Sequence, residues 1–289
     1  MSDPLLLSIG SASVAAMLFG LQVILVRKGL RHIDPQAGAM LTIGFATLAF
    51  WLMAPWQMKR EYWFTPGMWV FAANGLIHPM LSMQFAFEAN KRMGATISST
   101  ISATAPLFAM LGAVAFLSEP LTLPILVGTI ASVVGVVVLS WRGASASSWA
   151  LSALFFPIGA AAIRGTNNVI GSHGLDLLPS AHFAATVSFT VSLVGQVLIY
   201  RFRNGHFPRR LAPRGVAWNL ASGACITIAI FSMYTALGSG LVIVVAPVIA
   251  SFPVFTLIIA LAIGMERFSL QVLAGVVLVI GGVVLITLA

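Results

Sequence analysis

Arg164 is the one charged residue near the middle of any long apolar run in this 289-residue chain. A guanidinium at mid-bilayer costs roughly 2.5–3.5 kcal/mol on insertion scales, so such a residue faces the protein interior. Two roles fit it. Its planar fork matches a carboxylate bidentately and would clamp an acidic solute. Alternatively it is structural, tied to backbone carbonyls or reaching toward a cavity. Asn167 and Asn168 follow, and Asn168 lies one turn along on the same helical face. A second polar group centres on His78 and Pro79, with Asn74 one turn before and Gln84 beyond. His78 is either a proton carrier and solute partner or an interior imidazole satisfied by its neighbours. Pro79 lacks an N–H, so it kinks the segment and exposes a carbonyl.

A third group is rich in hydroxyls. Thr96, Ser98, Ser99, Thr100, Ser102 and Thr104 precede Pro106, and a second mid-run proline stands at Pro253. Small hydroxyl residues let helices approach closely, while Ser99 and Ser102 are also candidates for solute contact. Pro106 and Pro253 are either hinges that line a cavity or kinks that serve packing. Gln22, Ser232 and Tyr234 complete the candidate solute-contacting set.

The elements that position these groups are set by hydropathy. Apolar residues make up 59% of the chain and charged ones 8%, where a soluble domain carries about 25% charged. Soluble, disordered and coiled-coil classes are excluded. Ten continuous apolar runs are each long enough to cross a bilayer as a helix: 5–26, 37–56, 67–87, 95–117, 121–141, 149–170, 180–200, 215–237, 241–264 and 270–288. They do not alternate as barrel strands would. The first run lacks a basic leader and is too long for a signal-peptide core, so its retention is expected. The net charge of +8 sits in short gaps between runs, which points to loops facing cytoplasm and not to nucleic acid. The lone Cys225 excludes a disulfide framework or Cys-based metal site.

The chain repeats itself. Pro106, Glu119, Gly128 and Gly135 recur at Pro253, Glu266, Gly275 and Gly282, all offset by 147. Gly29-Leu30 matches Gly174-Leu175 at an offset of 145, and Pro35 matches Pro179 at 144. Five spans per copy is an odd number, so the second copy enters the membrane in the opposite sense. The expected fold is an all-α membrane protein of ten transmembrane helices, two inverted five-helix repeats (residues 1–142 and 143–289) around a central cavity. Such folds place a solute site at the repeat interface near the midplane.

The segment Gly94–Trp141 and its echo Ser239–Ala289 resemble the EamA-type repeat of the drug/metabolite transporter superfamily. The shared pattern runs from a hydroxyl-rich helix through a mid-helix proline to a Glu in a tight loop, then a Gly-spaced helix. The resemblance spans essentially the whole chain and implies an exporter or exchanger of amino acids or other small metabolites. In organisation the chain is most similar to the aromatic amino-acid exporter branch. No acid lies deep in the first span, where small multidrug-resistance relatives keep a proton-binding Glu; His78 is the remaining proton carrier.

Loops after odd-numbered spans hold twelve Lys and Arg, those after even-numbered spans only Lys59 and Arg60. The positive-inside rule then makes the odd loops cytoplasmic and both termini extracytoplasmic, in a cell inner membrane. Trp51, Trp56, Trp63, Trp69 and Trp141 suit an interfacial belt. Glu119 and Glu266 sit in tight turns, where a carboxylate suits a helix N-terminus. No GxxxxGK[ST] phosphate loop, HExxH pair or embedded acid pair occurs, which argues against ATP drive and catalysis. The expectation is a secondary transporter working by uniport or exchange, with small solute and lipid as its partners and no cofactor. A multidrug, lipid or other metabolite transporter is the alternative, and a channel the more distant one. Function as a monomer is expected, with a dimer as the other option.

Overall fold

A computed structural model describes residues 4–93, 98, 101–140, 151–208, 211–265 and 269–288. Its α-helices, in chain order, are α1 (Pro4–Gly29), α2 (Pro35–Gln57), α3 (Pro66–Gly75), α4 (Ser82–Met93), α5 (Ala105–Leu117) and α6 (Leu123–Ser140). They continue with α7 (Phe155–Leu177), α8 (Ala181–Asn204), α9 (Pro213–Leu237), α10 (Val242–Ala250), α11 (Phe252–Ala262) and α12 (Leu270–Thr287). Among the described residues, six helical stretches are long and apolar enough to cross a membrane, α10 and α11 counting as one, with α5 and most of α6 as shorter apolar helices. Mid-helix residues such as Leu48, Leu111 and Val277 are exposed, as a lipid-facing surface requires.

The ends obey local rules. Asp34 accepts from the Gln36 and Ala37 N–H groups at 3.0 Å each, capping α2 just before its N-terminal Pro35. Two boundaries differ from the hydropathy expectation. The sixth apolar run falls on α7, which starts at Phe155 and runs on to Leu177, beyond the expected 149–170. Apolar windows locate the lipid-embedded part, whereas a helix continues through His173 and Asp176 wherever its backbone ladder stays closed. The third apolar run is not one continuous α-helix: α3 and α4 are joined by a π-helical turn, Leu76–Leu81.

Packing pairs the two halves. Helix α1 presents Ser8, Ala12, Ala15, Ala16 and Gly20 as a buried small-residue stripe and packs most extensively on α9. Glycine spacing explains α6 and α12. A Cβ on Gly128 would lie 2.6 Å from Gly282 O, and one on Gly135 would lie 2.8 Å from Gly275 O. The partner number falls as the first number rises, so the two helices cross antiparallel, backbone against backbone. Equivalent contacts recur elsewhere. Gly20 of α1 meets Phe252, Phe255 and Thr256, while Gly165 of α7 meets Ala105, Phe108 and Ala109. The two glycines are 145 apart and their partners 147 apart, matching the offsets of the repeat. The same crossing is built twice from diverged residues.

Candidate functional site

The break between α3 and α4 follows from Pro79. His78 is extended there (φ −138°, ψ 130°) inside an otherwise helical run, as the residue before a proline prefers. Pro79 also removes the donor that would meet the carbonyl four residues earlier, Gly75 O. That carbonyl accepts from Ser192 Oγ at 2.5 Å. One turn earlier Ser188 Oγ donates to Phe71 O at 2.9 Å, and one turn later Gln196 Nε2 donates to Met80 O at 3.4 Å. Ser188, Ser192 and Gln196 thus form a buried stripe of α8 that follows the broken segment's carbonyls. Within the break, Ser82 Oγ donates to Pro79 O at 3.2 Å and lies 2.7 Å from His78 Nδ1. A hydroxyl has one hydrogen, so the imidazole tautomer sets which of the two contacts it serves.

Asn74 and Tyr234, 160 residues apart in the chain, come together. Asn74 Nδ2 donates to the Tyr234 hydroxyl at 3.2 Å, and Ser188 Oγ lies 3.3 Å from the same oxygen. Asn74 is fully buried and its Oδ1 has no partner among the described residues. Phe71 meets Tyr234 and Phe183 edge-on, with ring centroids 6.3 and 6.4 Å apart. This knot ties the last turns of α9 to α3 and α8. Helix α9 also packs on α7 there, and the packing is one-sided. Exchanging the halves would pair α4 with α1 and α2, and among the described residues no pairing of similar extent occurs.

Arg164 lies one residue before Gly165, where α7 crosses the start of α5. It is half-buried, and no hydrogen bond or ion pair engages it among the described residues. Helix α7 also packs against the π-helical turn that carries His78, so the two residues belong to neighbouring elements. Near α7 the chain turns at Thr104, whose Oγ1 donates to Ile101 O at 2.8 Å; Ser251 Oγ donates to Val248 O at 2.7 Å. Both pairs keep the 147 offset, and each hydroxyl precedes its proline, Pro106 or Pro253, by two residues. The prolines therefore open α5 and α11 as first-turn residues, a position that needs no N–H. Pro106 is buried and Pro253 half-buried.

The remaining candidates are less engaged. Ser102 is buried; Gln22, Asn168 and Ser232 are half-buried. Asn168 accepts a 3.5 Å contact from its neighbour Asn167. Ser99, Glu266 and Trp141 lie outside the described residues. Glu119 is buried and receives the Val242 and Ile243 N–H groups at 2.8 Å each. It thereby caps α10, a helix of the other half. Beside it a cavity of about 390 Å³, lined by Glu119, Ser172, His173 and Asp176 among others, opens at that end of the bundle. It shares no residue with the Asn74–His78–Arg164 region.

The α8 stripe is what sequence reasoning missed. Its signal was present: Ser188, Ser192 and Gln196 recur every four residues, one helical face beside a second polar row, His182, Thr186 and Thr190. Hydropathy averages the three away.

A solved crystal structure, described only as that of a protein, matches with a TM-score of 0.82 over 97% of this chain and 96% of that one, at 17% identity. At that identity the likeness is one of fold. No curated protein sequence matches the chain. The model of the EamA-like transporter family matches twice, over residues 6–141 and 151–288, each match covering one copy of the repeat. Members of this family carry small solutes across membranes, and the chain, a multi-pass membrane protein, belongs to the EamA-like transporter family.

Proposed function

We propose that the chain is a secondary exporter of small, largely apolar carboxylate-bearing metabolites, with aromatic and apolar amino acids as the first candidates from its resemblance to the aromatic exporter branch. The observation that carries this reading is Arg164, a half-buried guanidinium without a protein partner among the described residues. A structural arginine would direct its five donors at carbonyls; among the described residues none receives them, which leaves them for a solute. Asn74, His78, Ser102, Asn168, Gln22, Ser232 and Tyr234 are the proposed surroundings, with Ser99 from outside the described residues. Pro79, Pro106 and Pro253 are the proposed hinges.

Ten spans in two inverted sets of five are the proposed topology. The antiparallel crossing of α6 and α12 supports it, because these helices are repeat mates and would run parallel if the copies entered lipid in the same sense. The one-sided packing of α9 on α7 and α8 supports a state closed where α9 ends and open at the other end. With the Lys and Arg bias setting odd loops in the cytoplasm, that is the loading state of an exporter. Counterflow of labelled amino acid in liposomes tests the reading. Saturable exchange is expected, and Arg164→Ala should abolish it for carboxylate solutes while the folded protein is still recovered. Unchanged exchange by that variant refutes the assignment, and flux without saturation indicates a channel.

A further inference from the structure

The charge inventory of the interior narrows the solute. We infer that the site, if Arg164 is its carboxylate clamp as proposed above, ranks its carboxylate solutes by net charge: apolar monocarboxylates without an ammonium group are carried more efficiently than the amino acids.

Of the chain's seven acidic residues, five lie among the described residues, and no ion pair there joins any of them to Arg164. Asp34 caps α2. Glu61 lies 3.9 Å from Lys59 at a surface turn. Glu88 pairs with Arg92 at 2.7 Å near the end of α4. Glu119 is spent on the Val242 and Ile243 N–H groups. Asp176 is exposed at the end of α7. Asp3 and Glu266, outside the described residues, belong by sequence to the N-terminal end and to the loop after the ninth run. Arginine keeps its proton, so among the described residues its positive charge has no acid to offset it.

A monocarboxylate brings that region to neutrality. A zwitterion also supplies a carboxylate, but it adds an ammonium beside an arginine with no acid to receive it, and like charges in a poorly solvated space repel strongly. The favoured solute therefore resembles an amino acid with its ammonium replaced by hydroxyl, carbonyl or hydrogen.

A mechanism follows from the same arithmetic. A monoanion leaving alone carries one negative charge outward, so an inside-negative potential drives export without a coupling ion. For one charge, each tenfold distribution ratio corresponds to about 59 mV. This accounts for a transporter with no embedded carboxylate to carry a coupled proton.

The test uses the purified chain in liposomes, with potassium gradients and valinomycin setting the potential. The probes are 3-phenyllactate, phenylalanine and phenethylamine, which share a phenyl ring and differ in charge. Phenyllactate should be transported at least tenfold more efficiently than phenylalanine, with phenethylamine excluded. A tenfold potassium gradient should produce a tenfold phenyllactate distribution ratio. Arg164→Gln should lose phenyllactate transport, and Arg164→Lys, which keeps the charge, should retain the anion preference at a reduced rate. Phenylalanine transport equal to or better than that of phenyllactate, or indifference to potential, overturns the anion inference and leaves the transporter standing. Preference for phenyllactate that persists in Arg164→Gln overturns the clamp itself.

Discussion

Glu119 offers a graded test of how the halves are held together. Its two carboxylate oxygens each accept a backbone N–H at 2.8 Å, from Val242 and Ile243, and both of those residues are fully buried. Glu119→Ala strips two N–H groups of their acceptor where water cannot replace it. At about 1–3 kcal/mol for each orphaned group, set against relief of the carboxylate's own burial, the net loss should be about 2–4 kcal/mol. Glu119→Gln retains one carbonyl acceptor but turns an NH2 toward the second N–H, so about half the loss is expected. Glu119→Asp is one methylene shorter and cannot reach both donors, which places it near alanine. The assay is the thermal unfolding midpoint of the four proteins in lipid nanodiscs, followed by intrinsic fluorescence. The expected order is Glu, then Gln, then Asp and Ala together. A midpoint for Glu119→Ala equal to wild type, or a Gln variant less stable than Ala, would show that the cap contributes nothing.

Adjacent glycines of α12 should respond in opposite ways. Nothing lies within 4 Å of a Cβ on Gly281, so Gly281→Ala should leave the unfolding midpoint unchanged or raise it, by up to about 1 kcal/mol in stability. Gly282→Ala drives a methyl to 2.5 Å from Gly128 O and should lose about 1–3 kcal/mol in the same measurement. Tyr234→Phe leaves the fully buried Asn74 amide without its acceptor, for a loss of about 1–3 kcal/mol. The double variant Tyr234→Phe, Asn74→Leu removes both polar partners and should recover most of it; additive losses in a thermal double-mutant cycle would refute the pairing. Ser192→Ala leaves the carbonyl freed by Pro79 facing a methyl group and should cost about 1–3 kcal/mol. An unfolding midpoint near wild type for that variant would show that Gly75 O does not depend on the serine hydroxyl.

Much of this protein could be read from residue order. Ten apolar runs, the offset of 147 and the paired prolines and glycines follow from covalent spacing and the cost of leaving a backbone unpaired in lipid, both of which are local. Pro79 likewise announces a break four residues downstream of Gly75. Arg164 and His78 stand out because an ionisable group in an apolar run needs a reason.

What sequence could not supply is partner choice. Glu119 suits a helix N-terminus wherever one arrives, but only the packed bundle brings α10 to it across the two halves. Gly75 O is freed by chemistry visible in the chain, yet its acceptance of Ser192 depends on α8 lying against α3. The glycines of α6 and α12 announce close approach, and the fold selects which meets which. Arg164 is the sharpest case. Its type and position in the run are covalent facts, whereas its lack of a partner among the described residues emerges only from the packed structure. Hydropathy and helical spacing act over a few residues, so the chain carries them openly; hydrogen-bond and charge pairing act between segments more than a hundred residues apart, so tertiary packing decides them.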